Sequence, residues 1–168
     1  ERYRGMDVFS GVTVYSTNAQ GYFTLGNPER AVELLASAHD AAIESGDKPE
    51  AGLAMCSLAQ VHLDVSEPAL AEGEATKALQ LFGGRPDYLQ GIGTAQLVLG
   101  RALLEQDRPD EAEKMLAAAD KSFEQLSSVS HRAAAWVAQG DLAQKRNADR
   151  EAARLYRRAA EALQDFRF

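Results

Sequence analysis

Four stretches of this chain repeat one another without a gap: Tyr15–Ala38, Met55–Ala78, Gln96–Ala119 and Trp136–Ala159. Small residues recur inside them at fixed offsets. The first small site reads Ala19, Ala59, Gly100 and Gly140; the second, twelve residues on, reads Ala31, Ala71, Ala112 and Ala152; the third reads Ala38, Ala78, Ala119 and Ala159. The steps are 40, 41 and 40 residues. A period of that length implies supersecondary units that stack, because one unit alone buries too little apolar surface to stand. It also turns the question of function from catalysis toward binding.

The units are helical. Turn signals fall at half-repeat intervals: Gly26-Asn27-Pro28, Gly46-Asp47, Ser66-Glu67-Pro68, Gly83-Gly84-Arg85-Pro86, Asp107-Arg108-Pro109, Ser127-Ser128 and Asn147-Ala148-Asp149. Pro28, Pro68 and Pro109 stand where a helix tolerates proline, at its first position, where the missing N–H would lack a partner anyway. Between the turns apolar residues keep helical spacing, as in Leu35, Ala38, Ala42 and Ile43 or in Met115, Leu116, Ala119 and Phe123. No stretch alternates long enough to argue for a strand. The expectation is an all-α fold of eight helices in four antiparallel pairs, over 11–25 and 28–45, 48–65 and 68–82, 86–106 and 109–126, 129–146 and 149–165. Residues 1–10 read as the stub of a preceding helix or linker and 166–168 as a tail. A start at Glu1 rather than Met suggests a piece of a longer protein.

Composition narrows the function. Apolar residues make up 45% and charged residues 26%, enough of each for a soluble packed domain. Net charge is −7, an acidic surface that repels phosphate, so no direct nucleic-acid binding is expected of this region. Cys56 is the one cysteine and cannot close an internal disulfide, which suits a reducing, cytoplasmic setting. No apolar run is long enough to span a membrane, and no signal-peptide pattern opens the chain.

The offsets resemble the tetratricopeptide repeat. Its first bulky site corresponds to Tyr15, Met55, Gln96 and Trp136, its leucine site to Asn18, Leu58, Leu99 and Gln139, and its next bulky site to Tyr22, His62, Leu103 and Ala143. The turn site corresponds to Gly26, Ser66, Asp107 and Asn147, and the late bulky site to Leu35, Ala75, Leu116 and Tyr156. The resemblance covers 11–165 as a single domain, with repeats at about 11–45, 48–82, 86–126 and 129–165. The family's repeat is 34 residues, so about six are added here, or about 9 Å of helix shared by two helices. Long repeats of this kind are similar to the sensor regions of bacterial helix-turn-helix transcription regulators. What the resemblance implies is a right-handed α-solenoid that binds peptide or protein ligands on the concave side lined by the first helix of each pair.

Carried over by register, that groove would comprise Ser16, Gln20, Phe23 and Thr24, then Cys56, Gln60, Leu63 and Asp64. The third repeat supplies Leu97, Arg101, Leu104 and Glu105, and the fourth Val137, Asp141, Gln144 and Lys145. One equivalent position reads Gln20, Gln60, Arg101, Asp141, a ladder of long side chains able to hold an extended peptide by its backbone. Phe23, Leu63, Leu97 and Leu104 would form apolar pockets between them. The family's carboxylate clamp is not reproduced, since only Arg101 stands at one of its basic positions.

Other candidates are weaker. His39, His62 and His131 lie on separate elements with no metal-ligand spacing to Cys56, so no metal or cofactor is expected, and His62 reads as a packing residue. Gly91-Ile92-Gly93 lacks the third glycine and preceding strand of a phosphate loop. Cys56 reads as a small packing residue ahead of a redox sensor. Arg150, Arg154, Arg157 and Arg158 share one side of the last helix, as either the polar cap of the stack or a patch for a partner. The expected function is non-enzymatic: the C-terminal sensor or oligomerisation region of a bacterial transcription regulator, or alternatively a general protein-interaction scaffold. A homodimer through the end bearing Phe166 and Phe168 is a further expectation.

Overall fold

The computed structural model describes residues 21–164. Every regular element among them is helical. Residues 21–24 are helical. They precede α1 (Pro28–Glu44), α2 (Lys48–Asp64), α3 (Pro68–Phe82), α4 (Leu89–Glu105), α5 (Pro109–Gln125), α6 (Val129–Lys145) and α7 (Asp149–Gln164). These bounds follow the expected spans closely; the exception is Pro86–Tyr88, which forms a short 3₁₀ turn ahead of α4. Most of the expected first helix, 11–25, lies outside the described residues.

Contacts gather the helices into two compact units that meet in sequence at Gly83 and Gly84. In the first, α2 packs against both α1 and α3. In the second, α4 packs on α5, α5 on α6 and α6 on α7, and α4 also touches α6. Helices are therefore paired in sequence order as antiparallel neighbours.

The two members of a pair have different characters. α2 is buried nearly all round, through Ala51, Gly52, Ala54, Met55, Cys56, Leu58, Ala59, Val61, His62 and Leu63. α7 buries only Ala152, Leu155 and Ala159. A helix that is apolar on all sides is enclosed by neighbours, while one with a single apolar stripe covers the outside.

Turn chemistry repeats with the same period as the core. Gly26, Ser66, Asp107 and Asn147 all adopt left-handed backbone, with φ of 78°, 63°, 61° and 59°. Each closes its helix with a paired motif: the Ser66 N–H donates to the Leu63 carbonyl and the Glu67 N–H to that of His62, and Asn147 and Ala148 do the same to Gln144 and Ala143. The next helix then starts from a cap in two places, where Asn27 Oδ1 accepts from the Arg30 N–H and Asp47 Oδ1 from the Glu50 N–H, both at 3.1 Å.

Helix pairs meet through small residues set against large ones. A Cβ built on Gly52 would stand 2.8 Å from the Phe82 ring, and one on Gly93 would stand 2.6 Å from Phe123. Half a helix further on, Gly100 meets Leu116 at 2.6 Å and Gly140 meets Tyr156 at 2.5 Å by the same measure. At that second crossing the α2–α3 pair has Ala59 and Ala75, both fully buried. One pair thus meets alanine to alanine while the others set glycine against leucine or tyrosine, and in each case a small residue lets the axes come close.

Two predictions follow from this packing. Gly93→Ala destabilises the chain by about 1–3 kcal/mol through overpacking against the fully buried Phe123, despite alanine's better helix propensity. Gly140→Ala costs less, because Tyr156 is only half-buried and its ring can shift. Urea unfolding of both variants checks the order; equal costs would refute the crossing argument. Ser66→Gly, which removes a Cβ from a left-handed position, raises stability by about 0.5–1 kcal/mol, and Asn147→Gly raises it less because asparagine tolerates that backbone. The urea midpoints report both.

Candidate functional site

The exposed line on the first helix of each pair follows helical spacing. On α6 it runs through Ser130, Ala134, Val137, Asp141, Gln144 and Lys145, all exposed. On α4 the same register gives Gln90, Thr94, Leu97, Arg101 and Glu105, with Gln90 and Glu105 exposed and the three between them half-buried. Because α4 and α6 touch, the two lines form one face within the second unit.

Both ends of that face are defined. At the helix starts, Gln90 lines an open hollow of about 430 Å³ together with Leu126, Ser127, Ser128, Val129 and Ser130. At the helix ends, Lys145 Nζ donates to the Leu104 carbonyl at 2.6 Å and lies 3.2 Å from Asp107 Oδ1. An ammonium there also opposes the negative end of the α4 dipole. Arg146 reaches Asp110 at 2.6 Å and Glu113 at 2.9 Å, so the end of α6 is tied to the start of α5.

Asp141 is held from the second helix of its pair. The Tyr156 hydroxyl donates to Asp141 Oδ1 at 2.7 Å and lies 3.2 Å from Gln144 Oε1. The hydrogen bond to Asp141, and secondarily burial, push the Tyr156 phenol up to about 12. The same ring fills the space over Gly140, so one side chain sets both the crossing and the carboxylate.

The other expected groove residues divide. Ser16 and Gln20 lie outside the described residues. Phe23 is half-buried and Thr24 exposed in the helical segment before α1. Gln60 is half-buried, and its amide donates to Asp64 at 2.8 Å within α2. Leu97 packs against Ala119, Phe123 and Ala135. Arg101 is half-buried on the α4 line, and Asp141 and Gln144 are exposed on α6.

Three residues expected to line the groove do not. Cys56 is 5% exposed, Leu63 3% and Leu104 9%. On α2 and α4 the exposed line ends on Asp64 and Glu105 while Leu63 and Leu104 pack inward, although Gln144 at the same register position on α6 is exposed. Burial pushes the Cys56 thiol up to about 12, which leaves essentially no thiolate for redox chemistry. Gln90, Ser130 and the hollow beside them escaped the sequence reading. Extending the same spacing seven residues back from Leu97 and Val137 would have reached both.

The remaining candidates lie elsewhere on the helices. His62 is buried, as expected of a packing residue, and its Nδ1 lies 2.7 Å from Glu74 Oε2 on α3. Burial, which dominates over the attraction of His62, pushes the Glu74 carboxyl up. Of the four arginines on α7, Arg154 pairs with Glu151 at 2.6 Å and Arg158 lies 4.0 Å over the Trp136 ring. Arg150 and Arg157 are exposed. Among the described residues no cluster of His, Cys, Asp or Glu has metal-binding geometry, and no helix is long and apolar enough to cross a membrane.

Sequential antiparallel helix pairs, a positive-φ turn every 40 or 41 residues and an exposed line along each first helix define an all-α, tetratricopeptide-like repeat protein. Among solved structures the chain is similar to the crystal structure of BtubC (BKLC) from P. vanneervenii, with a TM-score of 0.75 and 20% identity, over 98% of this chain and 67% of that one. At that identity the likeness is one of fold. No family model and no curated protein matches the chain.

The phenol gives a pH prediction. Its folded value lies above the ordinary value near 10, so the folded state holds the proton longer than the unfolded one. The resulting stability is present below about pH 10 and is lost as pH rises from 10 to 12. Phenolate absorbance, read as the difference from Tyr156→Phe, should show a late-titrating tyrosine that Asp141→Asn returns toward 10; an unchanged titration in Asp141→Asn would remove Asp141 as the cause.

Proposed function

We propose that the chain is a protein-interaction scaffold whose recognition surface is the paired line on α4 and α6. The observation that carries this is the exposed register Ala134, Val137, Asp141 and Gln144 beside Thr94, Leu97 and Arg101. It is an open strip on helices otherwise enclosed by their neighbours. Apolar Leu97 and Val137 alternate with Arg101, Asp141 and Gln144, a pattern that takes up side chains of a partner segment while offering hydrogen bonds to its backbone. Asp141 is held in place by Tyr156, so part of the ordering cost of binding is already met. A tetratricopeptide-like architecture supports the same reading, because stacked repeats present extended surfaces. A regulator's sensor region would use the same strip, but no observation here favours that narrower role.

The test places a photoreactive residue at Val137 or, as control, at the exposed Lys114 of α5, in the full chain in its native cell. Adducts to a protein or peptide from position 137, absent from 114 and lost on adding Arg101→Glu, are the expected outcome. Equal labelling from both positions, or none from 137, would refute the assignment.

A further inference from the structure

Three arginines among the described residues are half-buried: Arg101, Arg108 and Arg132. Two of them have carboxylates of their own. Arg108 reaches Glu111 at 2.8 Å, and Arg132 reaches Asp120 at 2.9 Å and Glu124 at 3.0 Å. The side chain of Arg101, on the α4 line, has no ion pair or hydrogen bond among the described residues. Asp141, at the equivalent place on α6, does not supply one: its Oδ1 accepts from the Tyr156 hydroxyl at 2.7 Å. Lys145, the next cation along, is taken up by the Leu104 carbonyl and Asp107. The chain has 25 acidic residues against 18 basic ones, yet none of that surplus is set against Arg101. A guanidinium partly withdrawn from water, with its donors unmet, is a ready receiver for a carboxylate, which it grips with two parallel hydrogen bonds.

The line around Arg101 defines what carries that carboxylate. Leu97 stands four residues before it and Glu105 four after, about 6 Å along the helix axis in each direction. Alternate side chains of an extended segment are about 6.6 Å apart. A segment lying along α4 therefore sets successive alternate side chains against Leu97, Arg101 and Glu105. Val137 of α6 widens the apolar place beside Leu97. Past Arg101, Glu105 is exposed and unpaired among the described residues, and Asp141 adds a second negative charge from α6. A cation is attracted there and a second carboxylate repelled. Because the line continues on both sides of Arg101, the carboxylate belongs to a side chain within the segment rather than to its end.

Resting on the reading of this strip as the recognition surface, we propose that it selects an extended partner segment in the order apolar, acidic, basic at alternate residues. The acidic side chain meets Arg101, the apolar one Leu97 and Val137, and the basic one Glu105. Arg101 sets the sign of the charge that is accepted, and the flanking places set the register.

The probe is a library of random dodecapeptides, displayed between fixed flanks so that neither end is free and selected on the full chain. The expected enrichment is an acidic residue with an apolar residue two places to one side and a basic residue two places to the other. A synthetic peptide of that sequence should lose at least tenfold in affinity for Arg101→Glu, by a margin that shrinks as salt is raised. Exchanging its acidic residue for lysine should restore at least tenfold in that variant and weaken binding to the unchanged chain. Lys114→Glu, on α5, should select the same peptides as the unchanged chain. Should circular dichroism show Arg101→Glu unfolded, Arg101→Gln reports the same loss. Enriched peptides that lack the acidic residue, that space these residues three or four apart, or that keep their affinity for Arg101→Glu overturn the proposal. Where such peptides still lose binding on Val137→Arg, the strip stands as the recognition surface and only this register falls. Peptides indifferent to both changes, or no enrichment at all, refute the strip as well.

Discussion

The architecture depends on how closely paired helices approach, and that distance is set by a small residue facing a large one. Gly52 against Phe82 and Gly93 against Phe123 mark one crossing; Gly100 against Leu116 and Gly140 against Tyr156 mark the other. Neither partner makes sense alone. A glycine inside a helix costs about 1 kcal/mol relative to alanine, and a fully buried phenylalanine needs a hollow to fill. Together they are a contact of ordinary density. One crossing carries Ala59 with Ala75 instead, both fully buried, so close approach is kept there by two small residues.

That close approach shapes the surface that remains. With neighbours on several sides, the first helix of each pair has one open line. Its polar and apolar side chains are therefore exposed in a fixed order rather than scattered. The same Tyr156 that fills the space over Gly140 orients Asp141, so the crossing and the recognition surface are coupled through one ring. Charge has a separate role. Arg132 and Arg146 fasten α6 to the acidic side of α5, and Lys145 fastens its end to the last turn of α4.

Much of the fold was legible in the residues because its determinants are local and repeated. Pro28, Pro68 and Pro109 mark helix starts and occupy the first helical position in the structure. Gly26, Ser66, Asp107 and Asn147 share an offset and all turn left-handed, three of them without being glycine. The surface was legible only in part. Arg101, Asp141 and Gln144 stand on the open line, while Leu63 and Leu104, at the same register position as Gln144, are buried by what packs over them. Cys56 shows the same limit: its position is equivalent to Leu97 and Val137, yet the three range from buried to exposed according to what packs over each.

What the sequence alone determined is the helical period, the turn positions and the list of small sites, because steric exclusion at a proline, a left-handed turn or a close crossing acts through the residue itself. Which large residue fills which small site was decided by tertiary structure, as were Tyr156 meeting Asp141 and the arginines of α6 meeting the carboxylates of α5. Those pairings join residues from 8 to 36 apart, and each depends on the angle and distance at which two helices cross. No single position in the chain encodes that angle; it emerges from the balance of volumes and charges along both helices at once.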